Sequence, residues 1–284
     1  MGSPSSSLKD RKPVHTFLRT AKANTLSPGL GVILSLSGVK EIFFQKRQLP
    51  LKKDHFYLFE TCGVNEESLC KEGFSKCLTI YYPNSSVRRK LDQIISAIAP
   101  GYPIELFYPM IETMYRGGDP LGGILKQLGD QLSLQQPLEL EITLEKILAE
   151  VLTHYVAFIH GCLEKIRVVK CRTRMEIVRN LILVRDHIET HFCEELTTKK
   201  LSRLATMSEA HFLKYFKQLF GSTPHQYIVT KRLQMAKDLL EQSDLSVHHI
   251  TTTIGFEDSS SFIRLFRNQY AVTPKKYRLR SMAC

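Results

Sequence analysis

A segment near the C-terminal end of this 284-residue chain occurs twice. Phe212-Leu213-Lys214-Tyr215-Phe216-Lys217-Gln218 returns fifty residues later as Phe262-Ile263-Arg264-Leu265-Phe266-Arg267-Asn268, each position identical or close in class to its partner. The correspondence continues through Phe220 and Tyr270, then Thr223-Pro224 and Thr273-Pro274, and closes at Tyr227 and Tyr277. Self-similarity at a fixed offset means a supersecondary unit used twice, which restricts the fold more than any local propensity does.

Each copy describes the same physical object. A short helix comes first, marked by Leu201, Leu204 and Ala205 in copy one and by Ile250, Ile254 and Gly255 in copy two. A tight turn follows, around Met207 and around Gly255-Phe256. Ser208 in one copy, and Glu257 or Asp258 in the other, can accept hydrogen bonds from the orphan N–H groups that open the next helix. In that second helix Phe212 and Phe216, or Phe262 and Phe266, stand at i and i+4 and form one inward stripe. Thr-Pro then opens a further helix with a capping hydroxyl and a proline in its first turn. Between the copies, Tyr227 to Leu240 reads as a long amphipathic helix, with Ile228, Leu233, Ala236, Leu239 and Leu240 facing the cores.

Charge is distributed to match. Lys199 to Cys284 holds 14 basic and 6 acidic residues, whereas the remaining chain holds 25 and 22. Most of the net charge of +11 therefore lies in the last third, the distribution expected of a domain that faces a polyanion. Helix, tight turn and helix in a basic domain is the sequence form of the DNA-binding helix-turn-helix.

Two such units on one chain, joined by one helix, resemble the AraC/XylS family of bacterial transcription regulators over about residues 175–280. The residues that carry the resemblance are Leu204-Ala205, Ser208, Phe212, Phe216-Lys217, Gly221, Thr223-Pro224, Tyr227, Arg232-Leu233, Ala236 and Leu239-Leu240. In copy two they are Ile250, Gly255-Phe256, Phe262, Phe266, Thr273-Pro274 and Tyr277-Arg278. Ala271 stands where the family usually has glycine, and Thr251 to Thr253 replace its usual small and charged helix formers; both loosen the second copy. The resemblance implies base contacts at Ala210, Leu213 and Lys214, and at Ser259, Ser260 and Arg264. The chemistry agrees, since Lys and Arg donate to guanine O6 and N7, Ser meets several base edges and an apolar group meets the thymine methyl. Lys217, Lys231, Arg232, Arg267, Lys275, Lys276 and Arg278 are expected to meet phosphate, which fixes position without reading sequence.

The front of the chain reads differently. Stretches 31–37, 40–46, 55–60 and 76–82 are short, rich in β-branched and aromatic residues and separated by turn signals, as in a small antiparallel, barrel-like sheet. Asn84 or Ser85 could cap a helix running to Ala97, and a long helix starts at Pro137. In it Leu144, Leu148, Val151, Tyr155, Phe158 and Cys162 make a heptad seam, whose first five members are candidate dimer contacts. Lys170 to Arg174 is read as a linker and Met175 to about His191 as a further helix. The expectation is an α+β chain: a regulatory and dimerisation domain over 1–169, strand-rich at 15–82 and helical at 84–166, then a tandem helix-turn-helix domain over 170–284. Double-stranded DNA is the expected partner. By family habit RNA polymerase, a small-molecule effector in the front domain and a second copy of the chain are further candidates.

Enzyme chemistry has little footing. No glycine-rich phosphate loop, G-x-S-x-G or H-E-x-x-H is present, and no cofactor is expected. The alternative is a thiol- or metal-dependent sensor or DNA-repair protein using Cys62, Cys70 and Cys77. Their spacing lacks the close pairs of zinc sites, and three thiols fall short of a four-cysteine set. Seven cysteines, mostly far apart, and a polar N-terminus without an apolar core suit reduced thiols in a cytoplasm, with no membrane partner.

Overall fold

A computed structural model describes residues 15–19, 29–35, 42–44, 47–49, 55–60, 77–108, 111, 114–116, 137–168 and 170–281. The chain divides into two compact units, Met1–Glu164 and Lys165–Cys284. No described helix is long and apolar enough to cross a membrane.

Unit one is built on a five-stranded sheet in the order β1 (His15–Arg19), β6 (Cys77–Pro83), β2 (Gly29–Ser35), β5 (His55–Glu60), β7 (Met114–Arg116). All pairings are antiparallel except β1 with β6, which run parallel, with Phe17 opposite Thr79. The anticipated small antiparallel sheet is thus present, extended at one edge by β1, at the start of the stretch read as strand-rich, and at the other by β7, which sequence pattern did not mark. Within the stretch 40–46, read as one strand, the described residues form β3 (Ile42–Phe44), which pairs antiparallel with β4 (Arg47–Leu49) in a separate two-stranded sheet. Phe56, Tyr57, Leu58 and Phe59 are all buried in succession, so both faces of the sheet's centre are covered. Gly31 lies opposite Phe59, and a Cβ there would fall 2.0 Å from the ring, so the glycine makes room for it.

Helix α1 (Asn84–Ile98) packs Val87, Leu91 and Ile95, spaced by four, into this core. Pro83, not Asn84 or Ser85, holds the N-cap position and makes no side-chain cap; Asn84 instead accepts a 2.8 Å hydrogen bond from the Tyr108 hydroxyl. Helix α2 (Pro137–Lys165) corrects the reading of the heptad seam. Leu144, Leu148, Val151 and Tyr155 are buried within the chain's own core, and Phe158 is half-buried. The Tyr155 hydroxyl donates to the Phe107 carbonyl at 2.7 Å, and Tyr82 donates to the Leu144 carbonyl at 2.8 Å. Side chains consumed in this way cannot form a zipper with a second chain.

Unit two is helical: α3 (Cys171–His191), α4 (Thr198–Leu204), α5 (Glu209–Phe220), α6 (Pro224–Gln242), α7 (Val247–Thr253), α8 (Ser259–Tyr270) and α9 (Pro274–Ser281). The basic segment read as a linker is already the N-cap (Lys170) and first turn of α3, with Arg172 and Thr173 exposed, Arg174 half-buried and donating to Cys171 Sγ at 3.3 Å, and Met175, Val178 and Ile182 supplying the buried stripe. Copy one is α4 and α5; copy two is α7 and α8; α6 joins them. Leu233, Ala236 and Leu240 of α6 close the copy-two core with Ile250, Ile254, Phe262 and Phe266.

The repeat is geometric as well as textual. Ring centroids of Phe212–Phe216, Phe216–Phe220 and Phe216–Tyr227 lie 5.5, 4.6 and 5.8 Å apart. Their counterparts Phe262–Phe266, Phe266–Tyr270 and Phe266–Tyr277 lie 5.6, 4.6 and 5.6 Å apart. Each closing tyrosine also donates to a glutamate on the helix ahead of its copy, Tyr227 to Glu189 of α3 at 2.5 Å and Tyr277 to Glu241 of α6 at 2.6 Å. Both phenols are made less acidic: Tyr277 is pushed up to about 12, mainly by that hydrogen bond, and Tyr227 is raised by burial and then by Glu189. Helix α6 therefore closes copy one and opens copy two.

Candidate nucleic-acid interface

Local chemistry starts and stops the second helix of each copy at matching points. Ser208 Oγ accepts from the His211 amide and opens α5, while Asp258 Oδ1 accepts from the Ser261 amide at 2.7 Å and opens α8. Hydrogen bonds from the Ser261 amide and hydroxyl hold the Asp258 carboxyl below its ordinary range, so the cap is an ionised carboxylate. Both helices end in the left-handed region, α5 at Gly221 (φ 78°) and α8 at Ala271 (φ 62°).

With Phe212, Phe216, Phe262 and Phe266 fully buried, the opposite faces are turned to solvent. On α5 this face carries Glu209, Ala210, Leu213, Lys214 and Lys217, all exposed. On α8 it carries exposed Ser260, Ile263, Arg264 and Arg267, with Ser259 half-buried. Two apolar side chains at repeat-equivalent positions, Leu213 (39% exposed) and Ile263 (36%), are held outward in the middle of these faces. Leu213 was singled out from sequence as a base contact; Ile263 was not, although the fifty-residue offset pairs the two. Among the described residues, none of Lys214, Lys217, Arg264, Arg267, Lys275 and Lys276 sits in an ion pair with a carboxylate.

Three of the cations expected to meet phosphate are engaged within the unit instead. Lys231 Nζ lies 2.5 Å from Glu189 Oε1 and 5.4 Å from the Tyr227 ring centroid. Arg232 gives three different nitrogens to three main-chain carbonyls, those of Phe192, Gly255 and Glu194. Arg278 Nη2 donates to the Leu245 carbonyl at 2.5 Å. Charge type alone suggested phosphate for these residues, but their hydrogen-bond and ion-pair partners lie 23 to 42 positions away in sequence and only folding brings them together.

The cysteine alternative falls on residues whose side chains lie outside the described part of the chain. Cys62 and Cys70 lie outside the described residues, and Cys77 is described only as the first backbone position of β6.

Residues 201–280 match a family of helix-turn-helix domains (HTH_18). The chain is 33% identical over 99 residues to the probable transcriptional regulator LumQ of Photobacterium leiognathi, a match covering 35% of this chain and 40% of that one. It is 39% identical over 80 residues to an uncharacterized HTH-type transcriptional regulator of Haemophilus influenzae, covering 28% and 27%. It is 31% identical over 94 residues to the MmsAB operon regulatory protein of Pseudomonas aeruginosa, covering 33% and 31%. The chain thus spans less than half the length of these relatives. Among solved structures, the DNA-binding domain of AdpA, crystallised with a target DNA, is 33% identical with a TM-score of 0.36; the match covers 37% of this chain and 94% of that domain.

Proposed function

We propose that this chain, whose C-terminal domain is an AraC-type helix-turn-helix domain, is a cytoplasmic transcription regulator that reads duplex DNA with α5 and α8 together. The observation that carries this reading is the matched pair of solvent-facing helix surfaces. Each has an exposed cation outside any carboxylate ion pair and an outward apolar side chain at equivalent positions, mounted on equivalent aromatic frames and joined by one shared helix, α6. Two reading helices held on one scaffold enter successive major grooves on one face of the duplex, roughly 34 Å apart. The site is then an asymmetric pair of short blocks about 10 bp centre to centre, with bending of the DNA wherever the protein's spacing falls short.

Ala210, Leu213 and Lys214 read one block and Ser259, Ser260 and Arg264 the other, Ile263 adding the apolar contact equivalent to Leu213. Lys217, Arg267, Lys275 and Lys276 meet phosphate. Unit one is the regulatory part, where an effector, a second copy or RNA polymerase would act by surfaces other than the buried seam of α2. Selection of bound duplexes from a random library, with wild type, Lys214→Ala and Arg264→Ala full-length chains, tests the scheme. Each substitution should relax preference within a different block and cost about 1–3 kcal/mol of binding. If both alter preference at the same base positions, the two-block reading is wrong.

A further inference from the structure

Helix α6 passes from one copy to the other with a short gap between its fully buried residues. Pro224 and Ile228 are buried at its start, and Leu233, Ala236 and Leu240 belong to the copy-two core. The turn between Ile228 and Leu233 contains no fully buried side chain, and Val229 packs only partly against the copy-two core. Arg232 lies in that turn.

Its guanidinium closes a junction between segments that belong to different copies. Nε donates to the Phe192 carbonyl at 2.6 Å and Nη2 to the Glu194 carbonyl at 2.8 Å, both in the loop leading from α3 into copy one. Nη1 donates to the Gly255 carbonyl at 2.6 Å, in the tight turn of copy two. Carbonyls just past the end of α3 have no intrahelical donor, and a planar fork of N–H groups satisfies several at once. The same junction is pressed tight from the other side. Gly255 adopts φ +82°, and a Cβ on it would lie 2.1 Å from the Cys193 carbonyl oxygen, so the two backbones meet where only glycine fits. The Phe256 ring centroid stands 5.7 Å from the guanidinium carbon, and Cys193 Sγ reaches Met235 Sδ of α6 at 3.7 Å.

We propose that Arg232 is a positioning residue for DNA recognition: by bolting the Phe192–Glu194 loop to the Gly255 turn it fixes the second reading helix relative to the first. It thereby sets the spacing of the two DNA blocks the chain accepts. The proposal rests on the two-block reading above. Arg232 touches no base; it acts through the turn that carries α8.

The test uses full-length protein and the two-block duplex that wild type selects from a random library, remade with one or two base pairs inserted between the blocks. Wild type should lose about tenfold or more in affinity on insertion, because rigidly held helices cannot follow the displaced groove. Arg232→Met should bind the parent duplex more weakly yet lose only about threefold on insertion, and Arg232→Lys, which can reach fewer carbonyls, should fall between. A merely stabilising role predicts a lower melting temperature with the insertion penalty unchanged in both variants, and that result overturns the proposal. Should Arg232→Met melt below the assay temperature, the insertion penalty of Arg232→Lys decides in the same way. Wild type indifferent to insertion overturns the two-block reading itself, an outcome visible before any variant is made.

Discussion

Four of the described positions in unit two sit in the left-handed backbone region, and the two copies divide them in opposite ways. In the tight turn copy two has Gly255 (φ 82°), whereas copy one has Thr206 (φ 53°). At the end of the second helix copy one has Gly221 (φ 78°), whereas copy two has Ala271 (φ 62°). The turns correspond in detail: Met207 N bonds to Ser202 O as Phe256 N bonds to Thr251 O. Each copy thus carries one non-glycine residue where a Cβ is unfavourable. Ala271→Gly should raise stability by about 1 kcal/mol, since it relieves the αL conformation of an exposed C-cap without removing a contact. Urea unfolding of the full chain measures it, and an unchanged or lower stability would contradict the strain. Gly255→Ala should cost roughly 2–4 kcal/mol, because the added methyl meets the Cys193 backbone as well as an unfavourable φ. A thermal melt within a degree of wild type would mean the junction is looser than drawn.

At the scale of elements, caps decide where the reading helices begin. Ser208→Ala should destabilise the start of α5 by about 1 kcal/mol, seen as faster hydrogen exchange of the His211 amide. Replacement by aspartate should restore protection. The α8 cap differs because it titrates. The carboxyl of Asp258 is depressed in the folded state, so its contribution is full above the unfolded carboxylate range and is lost as pH falls through the lower folded value. Acid unfolding followed at α8 should therefore show a pH-dependent component in wild type that Asp258→Asn abolishes; identical acid profiles would remove the cap from the account. The threonine run of α7 is a related case. Thr251 is buried and bonds the Val247 carbonyl at 2.8 Å, while Thr252 and Thr253 bond the His249 carbonyl at 2.9 and 2.8 Å. Hydroxyls unhelpful to an isolated helix are here turned back onto its own backbone.

For the whole molecule, the concentration of basic residues beyond Lys199 predicts affinity for duplex DNA that falls by orders of magnitude between ~50 and ~200 mM salt. Lys276→Ala should flatten that dependence and weaken all sequences alike, and a change in its base preference would move Lys276 from phosphate to base contact. The repeat, the caps at Ser208 and Asp258, the inward phenylalanines and the outward faces of α5 and α8 were all legible in the chain. They depend on periodicity and on hydrogen bonds that reach three or four residues, which sequence spacing expresses directly. Other features needed the tertiary structure. A heptad pattern on α2 satisfies a zipper and an intrachain core equally well, and only the packing of Tyr155 against Phe107 decides between them. The parallel pairing of β1 with β6 joins residues 62 apart, from His15 and Cys77 to Arg19 and Tyr81, and no local pattern encodes it. Lys231, Arg232 and Arg278 look like the free cations beside them until folding delivers Glu189, three carbonyls and Leu245 to their side chains. A residue's type and spacing determine which face of a helix it occupies; whether its charge is left for a partner depends on what the rest of the chain brings within 3 Å of it.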